Sequence, residues 1–506
     1  MGAREVDLVV LGSGAGGMTA ALTGALLGLE VELLEKAAVI GGSTALSAGS
    51  VWIPNTHHAP AGSDSLDRAR RYLRATVGDR LRPALCEGFL EAGPPMVRFL
   101  EERSAVRLRA YPHHPDYLAE ADGATLAGRA LEPVPFDGRR LGRDLRLLRD
   151  PLPEFTLLGG MMVDRADIGQ LLNATRSIAS TGHALRLLAR YGVDRLRHRR
   201  GTRLVMGNAL AGRLLSSLRQ QGVAIRTGAE VRELVQRQGR IEGVVMADGT
   251  GTGRLLARRG VVLATGGFSR HPELRRELLP EPTPAYSALV ATVTGDGIEL
   301  GRAAGGRLGE GHADAAFWAP VSVRQRRDGS TAVFPHFVLD RGKPGLIAVD
   351  SGGLRFVNEA TSYHRFGQAI YAAHRLRPTI PCYFLCDRRF IVSYGLGMVR
   401  PRGLGLRSAV VDGYLTRADT LAGLAAALGI DALGLERTIA RHNLFARTGV
   451  DLDFAKGSDA YQRNLGDPAH GPNPCLGPLE APPFYGLRVY PGDIGTSIGL
   501  ATDQNA

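Results

Sequence analysis

The chain opens on an apolar run, VDLVVLG at 6 to 12, which reads as a strand; a glycine turn follows, then GMTAALTGALLG with helical spacing, then a second apolar run, VELLEK, at 31 to 36. Strand, helix and strand in that order predict a β-α-β unit. From 65 to 104 the pattern is helical, and Pro94 and Pro95 are expected to break one helix before MVRFLEER. Between 105 and 200 proline, arginine and histidine are frequent and the period fades, which suggests an inserted region. Order returns at 207. GNALAGRLLSSLRQQ carries a helical apolar stripe, VAIRTGAEVRELVQ reads as one strand, and RIEGVVMA and RRGVVLATGG read as two more, joined by a hairpin-like turn across ADGTGTG. Breaker signals divide the chain into a first domain over 1–305, with its insertion at about 105–205, a second over 306–474, and a segment at 475–506 expected to return to the first.

Composition alters this picture little. A chain of 506 residues is long enough for two cores, and 44% hydrophobic with 22% charged residues is ordinary for a soluble globular protein. The apolar run MTAALTGALLGL falls short of the ~20 residues a membrane-spanning helix needs, and Val6 leaves no room for a signal peptide, so no integral membrane segment and a cytoplasmic location are expected. The net charge of +12 comes almost wholly from arginine, since lysine occurs only at Lys36, Lys343 and Lys456. The densest basic run, RYGVDRLRHRRGTR at 190 to 203, has no interleaved aromatics and no DNA-binding motif, so it reads as a solvated or interdomain face and no nucleic acid partner is expected. Cys86, Cys382, Cys386 and Cys475 lack zinc-site spacing and read as free thiols, so no metal is expected.

The chemistry begins at GSGAGG, 12 to 17, where Gly12, Gly14 and Gly17 have G-x-G-x-x-G spacing. The first glycine permits a tight turn, the second lets a pyrophosphate approach the backbone, and the third lets helix and strand pack closely. A strand precedes the motif, a helix follows, and Glu35 ends the second strand, placed to accept hydrogen bonds from a ribose. A dinucleotide site follows from that context. After Lys36 comes AAVIGGSTALSAGSVWIPN, whose Gly41, Gly42, Ser43, Thr44 and Ser47 suit backbone-level contact with a larger second part of the cofactor, which favours FAD over a nicotinamide dinucleotide.

These pieces, with ATGGF (264 to 268), TGDG (294 to 297), LIAVDSGGLRFVNEATSY (346 to 363) and PPFYGLRVYPGDIGTSIGL (482 to 500), resemble the fumarate reductase/succinate dehydrogenase flavoprotein superfamily, and within it the 3-ketosteroid Δ1-dehydrogenases. The resemblance implies an α/β fold: a Rossmann-like FAD-binding domain with an inserted α+β catalytic domain that caps the substrate. It also implies that Gly12, Gly14, Gly17, Glu35, Lys36, Gly42, Ser43, Thr44, Ser47 and Gly49 line FAD, that Val231 holds the adenine through its backbone, that Ala264, Thr265 and Gly266 approach the pyrophosphate, and that Asp296 lies near the same region. No histidine occurs within GGSTALSAG, where relatives with covalent flavin carry one, so noncovalent FAD is expected.

Removing two hydrogens beside a ketone needs a donor to polarise the carbonyl, a base for the α-proton, and a hydride acceptor. The resemblance makes Tyr363, in VNEATSY, the base that takes the C2 proton of a steroid while hydride leaves C1 for flavin N5. Tyr117, in HHPDYLAEADG, would assist through its hydroxyl. The rival chemistry of the superfamily, turnover of a small dicarboxylate, needs charged clamps, for which His336 and Arg341 are candidates. Trp52, Phe317, Trp318 and Phe334 suit an apolar, sterol-sized pocket better. The expected partners are thus a hydrophobic small molecule and an unidentified electron acceptor. Loose membrane association is compatible with such a substrate, although no amphipathic anchor stands out. A third reading is a flavin-binding protein without turnover, because the resemblance places a further hairpin, a final helix and a Tyr-Pro-Gly-x-Gly motif after PGDIGTSIGLATD and implies that the chain is C-terminally truncated.

Overall fold

The computed structural model describes residues 4–249, 251–326 and 328–506; Thr250, in the turn expected across ADGTGTG, lies outside the described residues. The strand β1 (Arg4–Leu11), the helix α1 (Ala15–Leu26) and the strand β2 (Val31–Glu35) form the expected β-α-β unit, with β1 and β2 parallel and Leu8 opposite Val31. The helix lies close on its turn. A Cβ on Gly17 would stand 1.9 Å from Gly12 O, and one on Gly12 would stand 2.4 Å from Ala264 O, so both positions need glycine for the elements to meet.

Around this unit a six-stranded sheet is built with β3 (Ala224–Thr227), β4 (Glu230–Arg237), β5 (Arg240–Asp248) and β6 (Gly251–Leu263), in the order β3-β2-β1-β6-β5-β4. The first four pair in parallel and the last three antiparallel. VAIRTGAEVRELVQ is therefore two strands rather than one. The chain turns at Gly228 (φ +68°), whose N–H donates to Ala37 O, and Ala229 N–H donates to Glu35 O, so β3 and β4 leave to opposite edges.

The helix α2 (Pro83–Arg103) runs unbroken through Pro94 and Pro95, against expectation. Leu90, Gly93, Val97 and Leu100 are buried along one face, and Gly93 packs so tightly that a Cβ there would stand 2.8 Å from Ile53 Cγ2. Each proline removes a backbone donor, and the packed face outweighs that loss. The region where the period fades is not irregular throughout. It holds α3 (Arg165–Leu172), α4 (Ile178–Arg195) and strands of two to four residues, such as Leu108–Ala110 and Ala130–Pro133, too short to print a period. Beyond it, α5 (Met206–Gln220) packs against α1 in the main core of the first domain.

A second sheet contains β7 (Ala316–Gln325), β8 (Thr331–Pro335), β9 (Leu346–Val349), β10 (Cys382–Asp387), β11 (Thr416–Ala418) and β12 (Phe484–Thr496). Its order is β8-β7-β12-β10-β9, all antiparallel, with β11 also pairing β12. This corrects the boundary read at 475: the strand expected to return to the first domain is the central strand of the second sheet, held by β7, β10 and β11. Its C-terminal part also reaches residues before 306: Asp493 accepts from Arg275 Nη1 at 2.9 Å and from Ala288 N–H at 3.0 Å, and Thr496 Oγ1 accepts from Phe268 N–H at 3.2 Å. Leu500, farther on, presses against α6 (Asp296–Ala303), where a Cβ on Gly301 would stand 2.3 Å from Leu500 Cδ1.

Candidate active site

Three loops meet where β1 and β6 end. α1 begins after Gly14, which has no side chain to cap it, and carries no acidic residue in its first turn, which leaves a positive helix end. The second loop reaches it through Thr44 Oγ1, which accepts from Ala15 N–H at 2.9 Å. In that loop Gly42 has φ +47°, Ser43 Oγ accepts from Val290 N–H at 3.4 Å, and Ser47 donates to Thr44 O at 2.8 Å while accepting from Gly49 N–H at 2.9 Å. Gly49 lies against α5, where a Cβ would stand 2.6 Å from Gly207 Cα. The third loop follows β6: Ala264 N–H donates to Leu11 O at 2.9 Å, Thr265 Oγ1 accepts from Gly297 N–H at 3.0 Å, and Gly266 takes φ +82°. Val231 sits near the start of β4, opposite Met246. Beside it a cleft of about 410 Å³ is lined by Lys36, Gly228, Glu230, Arg232, Ala247, Asp248 and Thr292.

Three of the expected site side chains, Glu35, Lys36 and Asp296, bond to other protein groups. Glu35 is buried; its Oε2 accepts from Ser13 N–H at 3.0 Å and Ser13 Oγ–H at 2.6 Å, and its Oε1 accepts from Ala37 N–H at 2.8 Å. Ser13 Oγ in turn accepts from Gly41 N–H at 3.1 Å. Glu35 therefore ties the glycine turn to the second loop, and a carboxylate with four acceptor sites keeps capacity for a further donor. Lys36 and Asp296 pair with each other at 2.6 Å, and Thr294 joins them with a 2.6 Å bond to Asp296 Oδ1.

The two tyrosines, far apart in sequence, come together between the domains' loops. Tyr363 is the first residue of α7 (Tyr363–His374), and its hydroxyl lies 2.8 Å from that of Tyr117, with the rings edge to face at 5.5 Å. The Tyr117 loop is fixed by its neighbour Asp116, which accepts from Trp52 Nε1 at 2.7 Å, Arg129 Nη1 at 2.8 Å and Thr125 N–H at 2.9 Å. A third tyrosine, Tyr461 on α8 (Ala460–Leu465), sets its ring 5.0 Å from that of Tyr117 at a tilt of 59°, and Phe337 lies 5.1 Å from Tyr363. Tyr461 and its surroundings have no signature in the sequence, because a six-residue helix brings it here only by packing.

Beneath the cluster lies Arg341, fully buried, donating through Nε to His336 O at 2.9 Å and through Nη1 to Glu359 O at 2.8 Å and to Thr361 O. Its Nη2 is buried without a well-formed hydrogen bond, within reach of the Tyr461 hydroxyl. Burial pushes all three phenols up from 10, Tyr461 to about 12, and Tyr117 farther because Tyr363 and Tyr461 crowd it. Tyr363 differs in kind. After burial, the other influences on it are the hydrogen bond from Tyr117 and the Arg341 charge, and both favour its anion. Tyr117 keeps 39% of its surface exposed although dense protein surrounds its hydroxyl, as expected for a side chain facing a cleft.

Other candidates are placed elsewhere. His336 is wholly buried between Asp340 (2.6 Å) and Ser322 (2.9 Å), so neither it nor Arg341 is an open clamp for a dicarboxylate. Trp318 and Phe334 belong to the core, and Phe317 is half exposed. The four cysteines are free, and burial pushes the thiols of Cys382 and Cys386 well up and that of Cys475 to about 11. His57 and His58 both place Nε2 2.8 Å from Glu101 Oε2, a grouping the expectation of no metal did not foresee.

Residues 7–506 match the FAD-binding domain family. Over its whole length the chain is 35% identical to the 3-oxosteroid 1-dehydrogenase of Mycobacterium tuberculosis (strain ATCC 25618 / H37Rv), 90% of which it covers. The chain belongs to the FAD-binding family of these dehydrogenases. The flavoprotein is also 37% identical, over 99% of its length and 85% of the relative's, to the 4-oxocyclohex-2-ene-1-carboxylate 5-dehydrogenase of Sinomonas cyclohexanicum. Its fold matches the crystal structure of 3-ketosteroid Δ1-dehydrogenase from Sterolibacterium denitrificans in complex with 1,4-androstadiene-3,17-dione with a TM-score of 0.91 at 34% identity, over 99% of this chain and 90% of that one. It is an FAD-dependent dehydrogenase acting on CH–CH groups. The glycine cradle at Gly12 and Gly17, the open α1 terminus and the adjoining cleft fit the dinucleotide part of that cofactor.

Proposed function

We propose that this flavoprotein desaturates a ring beside a ketone, with a 3-oxosteroid as substrate and its C1–C2 bond as the one oxidised. The observation that carries the reading is the Tyr117–Tyr363 hydroxyl pair, 2.8 Å apart and set beside the buried charge of Arg341. A proton next to a carbonyl is acidified by that carbonyl, and Tyr363 takes it. Tyr117 donates to the oxygen of Tyr363, and Arg341 adds a fixed positive field, so the phenolate forms more readily than burial alone would permit. FAD, when bound, supplies the hydride acceptor. Gly12, Gly14, Gly17, Thr44, Ala264, Thr265 and Gly266 are the residues we assign to its phosphates, and Val231 with Lys36 to its adenosine end, beside the 410 Å³ cleft. Electrons then pass to a separate acceptor.

A second reading has one observation in its favour, the 37% identity to an enzyme named for a monocyclic oxo-carboxylate. Anaerobic addition of 4-androstene-3,17-dione to the yellow holoprotein distinguishes the two. Bleaching of the flavin band by the steroid, with recovery on adding a dye acceptor, is expected. Bleaching by 4-oxocyclohex-2-ene-1-carboxylate alone would favour the monocyclic substrate. Response to neither, with fumarate reoxidising chemically reduced flavin, would overturn both.

A further inference from the structure

Adjacent side chains along a helix or a strand point apart, so two neighbouring histidines do not ordinarily share a partner. His57 and His58 lie instead in a turn after the strand Val51–Trp52. Asn55 takes φ +56° and Ala59 N–H donates to Thr56 O at 3.0 Å, and the two imidazoles end on one side, with centroids 4.2 Å apart and planes 37° from each other. Both bring Nε2 to 2.8 Å from Oε2 of Glu101, in the last turn of α2.

The other histidine–carboxylate pairs among the described residues are single: His183 with Asp167, His271 with Glu273, His336 with Asp340 and His364 with Asp314. One such bond would tie the turn to α2. Two imidazoles on one oxygen do more, because they gather two nitrogens and an oxygen, all within 4.8 Å of one another. The carboxylate is also held from behind, where Glu101 Oε1 accepts from Leu108 N–H at 2.7 Å. A bond of that kind fixes the direction of a ligating oxygen. Glu101 is the least exposed of the three and His57 the most, so the group opens to solvent on the histidine side.

We propose that His57, His58 and Glu101 bind a zinc ion, with water in the fourth position. Two imidazole nitrogens and one carboxylate oxygen are a set that zinc takes in tetrahedral geometry with one place open. Ligands about 2.0–2.2 Å from the ion stand about 3.3 Å from each other, so the two contacts need open by only about 0.5 Å. Calcium and magnesium fit poorly, because both favour oxygen ligands in greater number. The ion clips the turn to α2. The loop that carries this turn ends at Asp64, which accepts from Asn55 N–H at 2.9 Å and from Arg129 Nη2 at 2.7 Å. Arg129 Nη1 in turn donates to Asp116 at 2.8 Å, beside Tyr117. Zinc therefore stiffens the outer frame of the Tyr117 loop without touching the reacting groups, and it stabilises the folded chain by binding that state alone.

Holoprotein stripped of metal by a chelator, dialysed, and titrated with Zn²⁺ against a chromophoric competitor tests this. One equivalent should bind, and the melting temperature should rise with zinc concentration. His58→Ala removes a ligand, and Glu101→Gln keeps an acceptor for Leu108 N–H while losing the charge. Each should weaken zinc at least roughly tenfold, the least cost of disturbing even a supporting group, and abolish the rise in melting temperature. Flavin content and turnover without zinc should match the wild type in both. Failure of the wild type to bind one equivalent overturns the proposal. So does a variant of either kind that binds zinc as tightly as the wild type, which would place the ion on other side chains.

Discussion

Tyr117 and Tyr363 share one hydrogen bond, yet their surroundings differ. Tyr363 is helped toward its anion by the Tyr117 hydroxyl and Arg341, whereas Tyr117 is held protonated by burial and by two neighbouring phenols. Tyr363→Phe should therefore lower turnover roughly 10²–10⁴-fold, the usual range for a lost general base, with flavin content unchanged. Undiminished turnover would remove Tyr363 from the chemistry. Arg341 acts through Tyr363. Its charge lowers the phenol pKa, so Arg341→Met should move the basic-form limb of the kcat/KM profile to higher pH, and Arg341→Lys should move it less. Arg341→Met also leaves the carbonyls of His336, Glu359 and Thr361 without their donor, so it should destabilise the fold by about 1–3 kcal/mol as well. The pH profile separates the two effects, since a loss of stability alone would not shift it. Arg341 read in the sequence as a possible anion clamp; only its burial under three carbonyls shows what it holds.

The segment RFVNEATSY illustrates how elements carry these side chains. Glu359 is buried between Arg355 at 2.8 Å and Lys456 at 3.2 Å, its carbonyl and that of Thr361 hold Arg341, and two residues later α7 begins with Tyr363. The position of α7 depends on Gly367, where a Cβ would stand 2.3 Å from Trp318 Cβ on β7. Gly367→Ala should cost about 1–3 kcal/mol by overpacking and lower turnover by shifting Tyr363, while flavin binding is kept; melting temperature, kcat and absorbance ratio together check it. Gly17→Ala should do the opposite. Its Cβ would strike Gly12 O, separating α1 from β1, so the protein should purify with little or no flavin. The β-α-β unit was legible because its turn, helix and strands obey local steric rules. The break expected at Pro94 and Pro95 was misread because local propensity yields to a buried face.

At the scale of the molecule, buried charge sets the response to acid. Burial, with Arg355 and Lys456 nearby, pushes His442 down from 6.5 to about 4. In the unfolded chain that imidazole takes a proton below its ordinary value, whereas in the fold it stays neutral, so stability falls as pH drops from about 6.5 to about 4, by about 3 kcal/mol over that window. Glu359 acts in the same sense at lower pH, because Arg355 and Lys456 hold its carboxyl well below its usual value and protonation there removes the stabilisation. The melting temperature should therefore fall between about pH 7 and about pH 5, and His442→Gln should flatten that fall; an equal slope in the variant would assign the acid sensitivity elsewhere. The sequence by itself determined the cofactor class and the β-α-β cradle, because glycine spacing and apolar runs act over a few residues and leave a direct mark. It also pointed to Tyr117 and Tyr363, through motifs whose meaning came from resemblance. Tertiary structure alone decided that these two meet Tyr461 over Arg341, that β12 completes the second sheet, and that Glu35 fastens a turn. Those outcomes rest on which distant surfaces are buried against each other, and no local pattern along the chain encodes that.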